Sequence, residues 1–136
     1  MQTLCVIHHS HTDVGYTAQQ STIAGWHGDF SRQALDAIDP RRRGPGAACR
    51  WTCETFWSVE QFLGCASGAE IDRFAQAVRC GAIGLSGSHL DFNELSGEEL
   101  LQCVTARAAA YGRSTGNSVR TARATGVRPA TVRRRT

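Results

Sequence analysis

Apolar positions recur with helical spacing in four stretches of the chain, which predicts four amphipathic helices. The first helix is expected to end at Asp39–Pro40, because a proline and the residue before it stop a helix. The recurring positions are Ile23, His27, Phe30, Ala34 and Ile38; then Phe56, Val59, Phe62 and Ala66; then Ile71, Phe74, Ala75 and Val78; and finally Leu101, Val104, Ala108 and Tyr111.

Short apolar runs precede three of these stretches and predict strands. They cover residues 3–9 (TLCVIHH), 49–54 (CRWTCE) and 82–85 (AIGL). The first run is apolar on both faces, as is typical of a strand buried in a parallel sheet. Strands that alternate with helices predict an α/β fold. At 136 residues the chain has room for one domain, but not for a closed eight-stranded barrel of about 250 residues.

Two serine–glutamate pairs predict where helices begin. Ser67-x-x-Glu70 and Ser96-x-x-Glu99 both have the spacing of a capping box, in which each side chain accepts a hydrogen bond from the other residue's main chain. Polar loops at residues 10–20 and 86–94 follow the first and third predicted strands. Polar side chains are therefore expected at the carboxyl ends of the strands.

Charge divides the chain into two parts. Up to Cys103 there are 7 arginines and 12 acids, whereas the remaining 33 residues hold 8 arginines and no acid; lysine is absent throughout. From about Arg113 the periodicity stops, which predicts a domain over residues 1–112 and an irregular arginine-rich tail over 113–136. The tail consists mainly of arginine, alanine, threonine, glycine, valine and proline. This composition is expected when the DNA of an arginine-rich, lysine-free protein is translated in a shifted reading frame. We therefore interpret the tail as a coding artefact.

The tail also suggests a different class of function, since eight arginines could neutralise several phosphates of a nucleic acid. It has no aromatic residue beyond Tyr111 for base stacking, so a nucleic-acid partner is disfavoured. No apolar run approaches the roughly 18 residues of a membrane span, and no secretory signal is recognisable. We therefore expect a cytoplasmic protein with no membrane partner and with reduced, mostly buried cysteines.

The densest polar cluster is HHSHTD at residues 8–13, directly after the first predicted strand. In an extended chain His9, His11 and Asp13 share one face. Imidazoles and a carboxylate at that spacing can bind a divalent ion such as zinc, and α/β domains bind ligands at the carboxyl ends of their strands. The same spacing suits a small metal-dependent hydrolase of the amidohydrolase type, in which the ion activates water.

The segment HHSHTDVGYT, residues 8–17, resembles the first-strand motif of glycoside hydrolase family 38, the α-mannosidase family. Two further segments, RWTCETFWSVEQFL (50–63) and CGAIGLSGSHLDFNE (80–94), are similar to later strands and loops of that family. In the last one Ser88-His89 replaces Gly-Trp and Asn93 replaces an acid. The resemblance covers residues 3–112 and implies the N-terminal portion of a parallel β/α barrel-like domain, incomplete in this chain.

The resemblance also implies roles for individual residues. His11 and Asp13 are then ligands of one zinc ion that binds the hydroxyls of a mannose ring, and Tyr16 takes the place of a tryptophan against the sugar. Position beside the predicted strand ends, and not the resemblance, makes His9, His89 and Asp91 possible additional pocket residues. By the same placement the carboxylates of Glu54 and Glu94 are expected to organise strand ends. The implied partner is an α-mannoside.

The family's catalytic carboxylates have no counterpart here. Its members retain configuration by means of a carboxylate nucleophile and a second carboxyl group that serves as acid and then base. By the resemblance, the nucleophile aspartate follows the next strand and also contacts the zinc, but the chain has no acid after Glu99. We therefore expect a fragment of an α-mannosidase-like enzyme that is inactive alone, with no catalytic residue identifiable.

Overall fold

The computed structural model describes residues 11–39, 49–91 and 97–120. The predicted first strand (3–9), His9 and Glu94 lie outside these ranges. None of the helices within them is long and apolar enough to cross a membrane. The elements, in chain order, are α1 (Gln20–Ile38), β1 (Trp51–Cys53), α2 (Phe56–Cys65), α3 (Gly68–Arg79), β2 (Ile83–Leu85) and α4 (Glu98–Ser114).

The two described strands form a parallel pair. Trp51 lies opposite Ile83, and Cys53 lies opposite Leu85. Parallel strands need a crossover connection, and α2 and α3 supply it here. The mixed α/β fold with a parallel sheet is therefore confirmed, and β1 and β2 reach their carboxyl ends at the same edge.

Helices and sheet share one apolar core. Phe62 of α2 and Phe74 of α3 are fully buried, with ring centroids 5.0 Å apart. The predicted helical faces supply much of this core, since Val59 and Val78 are also fully buried. We call the following cluster the apolar body: Leu35, Ile38, Cys53, Phe56, Val59, Phe62, Phe74, Ala77, Val78, Ile83, Leu85 and Ala108.

The capping box at the start of α3 is confirmed. Ser67 Oγ accepts a hydrogen bond from the Glu70 main-chain N–H, and Glu70 Oε2 accepts one from the Ser67 N–H at 2.7 Å. Arg32 of α1 donates to the other Glu70 oxygen at 2.8 Å. The Ser67 hydroxyl also donates to Oε2 at 2.8 Å. The bonds from the Ser67 N–H, Arg32 and the Ser67 hydroxyl favour the ionised carboxylate and lower the pKa of Glu70 to about 2.

The second predicted capping box involves Ser96, which lies outside the described residues. The N-cap of α4 is Gly97, which has no side chain to accept a hydrogen bond. Glu98 and Glu99 occupy the first turn instead. Their negative charges stabilise the N-terminal end of the helix dipole without a side-chain cap.

The first residues of the arginine-rich tail pack against the fold. Helix α4 continues through Ser114, Thr115 is buried, and the side chain of Asn117 donates to the Val78 carbonyl at 2.9 Å. Gly116 turns the chain with φ of +73°, a conformation that favours glycine. The domain boundary at residue 112 stays a prediction, and residues 121–136 lie outside the described part.

Five of the six cysteines lie in the described part, and all five are free. Cys53 is buried within the sheet, whereas Cys65, Cys80 and Cys103 are exposed. The expectation that the cysteines are mostly buried is therefore wrong. Cys65 ends α2 and Cys80 caps α3, and helix ends lie at the surface.

Candidate metal centre

A cavity of about 270 Å³ lies at the carboxyl ends of β1 and β2; we call it the strand-edge cavity. Ligands of α/β domains bind at this edge of the sheet. Its walls come from the N-terminal loop, α1, β1 with the start of α2, and the loop after β2. The described lining residues are Thr12, Asp13, Val14, His27, Phe30, Ser31, Trp51, Cys53, Glu54, Thr55, Ser58, Leu90 and Asp91.

Glu54, the first residue after β1, holds His11 beside this cavity. Its side chain is only 7% exposed, and its Oε1 atom lies 2.8 Å from Nδ1 of His11, which is 49% exposed. The hydrogen bond to Glu54 and the charge of that carboxylate raise the pKa of His11. In the neutral ring, a proton on Nδ1 that is donated to the carboxylate leaves the lone pair on Nε2, where a metal ion can bind.

The second ring nitrogen of His11 points to Asp13. Nε2 lies 3.4 Å from Asp13 Oδ1. Two ligand atoms on a tetrahedral ion with bonds of about 2.0–2.1 Å are separated by about 3.4 Å. The spacing between Nε2 and Oδ1 is therefore suitable for two ligands of one ion.

Asp91 adds a third acidic side chain at this edge. His11, Glu54 and Asp91 each offer a ligand atom, and these atoms lie within 4.8 Å of one another. The described residues thus contain a group that could bind a divalent metal. Sequence reasoning identified His11 and named Asp91 as a possible pocket residue, but it assigned Glu54 only to organising the strand end. An acid at the carboxyl end of a predicted strand was the signal for Glu54.

His27, Phe30 and Cys53 contribute uncharged groups to the wall of the strand-edge cavity. His27 is buried and makes edge-to-face ring contacts with Phe30 at 5.8 Å and Trp57 at 5.5 Å. Its burial lowers its pKa, an effect that outweighs the charge of Glu54, so the ring is neutral at pH 7. Burial likewise raises the pKa of the Cys53 thiol to about 12. Both residues therefore act as uncharged wall groups.

Two other predicted pocket residues lie elsewhere. Tyr16 is 90% exposed and is not among the described residues that line the strand-edge cavity. His89 lies 3.6 Å from Glu60, and its main chain bonds to Trp57 and Val104. The structure thus brings Asp91, but neither Tyr16 nor His89, to the cavity.

Comparisons of the chain with models of protein families, with curated proteins and with solved structures find no match.

Proposed function

We propose that the chain is the zinc- and sugar-binding part of a retaining α-mannosidase-like glycoside hydrolase of the parallel β/α barrel type. One observation supports this most: His11, Asp13, Glu54 and Asp91 converge at the carboxyl edge of a parallel sheet. The choice of zinc as the ion and of a mannoside as the sugar comes from the resemblance of residues 8–17 to family 38.

In this proposal His11 Nε2 and Asp13 hold the ion at the mouth of the strand-edge cavity. Bound zinc would act as a Lewis acid and template that orients sugar hydroxyls. The cavity also offers the aromatic surfaces of Phe30 and Trp51 and the hydroxyl of Ser31. Apolar faces combined with a few polar groups are what a sugar ring requires of a site.

The proposed role is binding without cleavage. Retaining hydrolysis needs a nucleophilic carboxylate and a second carboxyl group about 5–5.5 Å away, on opposite sides of the scissile bond. In the described cavity the acids Asp13, Glu54 and Asp91 all surround His11. We assign them to the metal and not to bond cleavage.

The test uses ligand-observed NMR to measure sugar binding by the untagged chain. Methyl α-mannoside should bind when zinc is present and should be released by EDTA. Methyl α-glucoside, which differs only in configuration at C2, should bind more weakly. Asp13→Asn should behave like the EDTA-treated wild-type protein, because it removes a proposed zinc ligand. Mannoside binding that ignores zinc, or no binding at all, would contradict the proposal.

Turnover is measured in parallel. The chain with zinc should leave an aryl α-mannoside intact. Hydrolysis that is lost in Asp13→Asn would show that a complete catalytic set is present, contrary to the proposed binding role.

A further inference from the structure

One polar ring in the wall of the strand-edge cavity has no part in the proposed metal site. His27 lies on α1 at a position of the predicted apolar face. It is only 7% exposed, and it lines the cavity. Burying a polar group is costly unless it is hydrogen-bonded, and buried polar groups of folded proteins have partners with few exceptions. A histidine at this position therefore needs a reason beyond packing.

The ring nitrogens of His27 are accessible from the cavity. Within residues 11–39, 49–91 and 97–120 no group hydrogen-bonds to this ring, whose neighbours are the rings of Phe30 and Trp57. In the same ranges, the buried side-chain atoms that lack both a partner and exposure are His89 Nδ1 and Tyr111 Oη. Because the His27 nitrogens are not in this group, they open into the space that the ring lines.

Two aromatic rings hold the His27 ring in one orientation. The ring of Phe30, on α1, meets it at 85°, and the ring of Trp57, on α2, meets it at 86°. Edge-to-face contacts of this kind are favourable beyond the area that they bury. The His27 ring cannot turn without losing them. Its nitrogens are therefore preorganised, and a preorganised group loses little conformational freedom when a ligand binds.

A neutral His27 ring is suited to a hydroxyl group. Burial lowers the pKa of His27, and the neutral ring has one N–H donor and one nitrogen that accepts. A hydroxyl group likewise both donates and accepts, whereas an ionised carboxylate only accepts. The described lining of the cavity includes the acids Asp13, Glu54 and Asp91 but no arginine, so its charge disfavours an anionic ligand.

A second polar side chain lies one helical turn along α1. Ser31 is 8% exposed and lines the same cavity. Residues four apart share a face of a helix, so His27 and Ser31 form a pair of uncharged hydrogen-bonding groups on one wall. The proposed metal site is held by other parts of the fold, the N-terminal loop and the end of β1. A ligand in the cavity can therefore be contacted from both.

We propose that His27, assisted by Ser31, is a specificity-determining residue that hydrogen-bonds a hydroxyl group of an uncharged ligand in the strand-edge cavity. This inference rests on the proposed function, in which the ligand is an α-mannoside. The ion would bind hydroxyls at the mouth of the cavity, and His27 would recognise a different hydroxyl of the same sugar ring at the wall. The resemblance to family 38 implies no role for His27, which stands outside the motif at residues 8–17.

The first experiment compares methyl α-mannoside with its monodeoxy analogues, by ligand-observed NMR on the untagged chain with zinc. His27→Phe should weaken binding of methyl α-mannoside by about 3–10-fold, the effect of one hydrogen bond. For one deoxy analogue the wild type should lose affinity by a similar factor while His27→Phe loses no more, because both changes remove the same bond. Losses that multiply at every hydroxyl position would overturn the inference.

Matched variants separate ligand recognition from packing. Trp26→Phe changes a 39% exposed neighbour on α1 and should bind as the wild type does. Ser31→Ala should weaken binding, whereas Ser114→Ala, at an exposed position of α4, should not. The urea midpoint of His27→Phe should stay the same or rise, because a phenyl ring has no polar group to bury. Weaker binding together with a lower midpoint would assign His27 to packing and overturn the inference.

The second experiment uses the wild-type chain and needs no variant. In long-range ¹H–¹⁵N spectra, the ring nitrogens of His27 should shift when methyl α-mannoside is added to the zinc-loaded chain but not when zinc alone is added. A shift with zinc alone would place the ion on His27 and overturn the inference. If the wild type binds the mannoside and His27→Phe binds it equally well, the inference fails although the proposed function stands. If the wild type binds no mannoside, both fail.

Discussion

The apolar body and the strand-edge cavity meet at β1 but are built on different principles. In the apolar body Phe62 and Phe74 are fully buried against apolar neighbours. One residue beyond β1, the carboxylate of Glu54 is nearly as buried yet bonds to the half-exposed ring of His11. A buried charge is costly unless it is paired, and apolar residues in place of a buried ion pair are often at least as stable. We infer that the apolar body stabilises the fold, whereas the pairing of Glu54 with His11 belongs to the proposed metal site.

Truncation within the apolar body should have the largest effect on stability. Phe62→Ala removes a fully buried ring and should lower the free energy of unfolding by about 3–5 kcal/mol, measured by urea denaturation. Leu100→Ala, at a half-exposed position of α4, is the control and should change it by less than about 0.5 kcal/mol. Equal effects would show that the apolar body is not where α2 and α3 pack.

Replacing the buried carboxylate should separate stability from metal binding. Glu54→Leu removes a buried charge and leaves His11 half-exposed and able to stay neutral. Because only one partner of a half-exposed pair is removed, the free energy of unfolding should change by no more than about 1 kcal/mol, while zinc affinity falls by about 10–100-fold. Urea denaturation and zinc titration of one preparation measure both. A large loss of stability with unchanged zinc affinity would reverse the assignment.

The two serine–glutamate pairs provide a smaller, matched comparison within the fold. Ser67→Ala removes an observed N-cap and should cost about 1 kcal/mol, measured by thermal or urea unfolding. Ser96→Ala should cost less than about 0.5 kcal/mol, because Gly97 is the N-cap of α4. Equal losses in the two variants would show that both boxes form.

The smallest expected effect is the acid dependence that Glu70 contributes. Its pKa falls from 4.5 to about 2 because the Ser67 N–H, Arg32 and the Ser67 hydroxyl bond to its carboxylate. A folded-state pKa below the unfolded value gives stability that is present above pH 4.5 and is lost as the pH falls toward 2. In Glu70→Gln the free energy of unfolding should depend less on pH within this window, and its pH dependence above about pH 5 should be unchanged. A steeper loss of stability below pH 4 in the variant would contradict this sign.

The helices could be predicted from the sequence because their apolar positions recur at regular helical spacing over several turns. The starts of two helices show the limit: the N-cap of α3 is the predicted Ser67, whereas the N-cap of α4 is Gly97. Spacing alone therefore predicts that α4 exists but not how it starts.

In the candidate site, too, local contacts could be predicted from the sequence but long-range contacts could not. The spacing of His11 and Asp13 within one segment predicted their proximity. The bond from His11 to Glu54 joins residues 43 positions apart, so it depends on how the N-terminal loop approaches β1. Asp91 and His89 are two residues apart, yet only Asp91 lines the cavity, because the main chain of His89 is bonded to Trp57 and Val104. These tertiary hydrogen bonds differ between loop residues that line the strand-edge cavity and those that do not.

Anomalous diffraction at the zinc edge, from crystals of the reduced, untagged chain grown with zinc, would locate the proposed ion. The predicted result is a single strong peak about 2.0–2.1 Å from His11 Nε2 and a similar distance from a carboxylate oxygen of Asp13, with Glu54 still bonded to Nδ1. A peak on the exposed cysteines, or an ion bound through Nδ1 between Glu54 and His11, would contradict it.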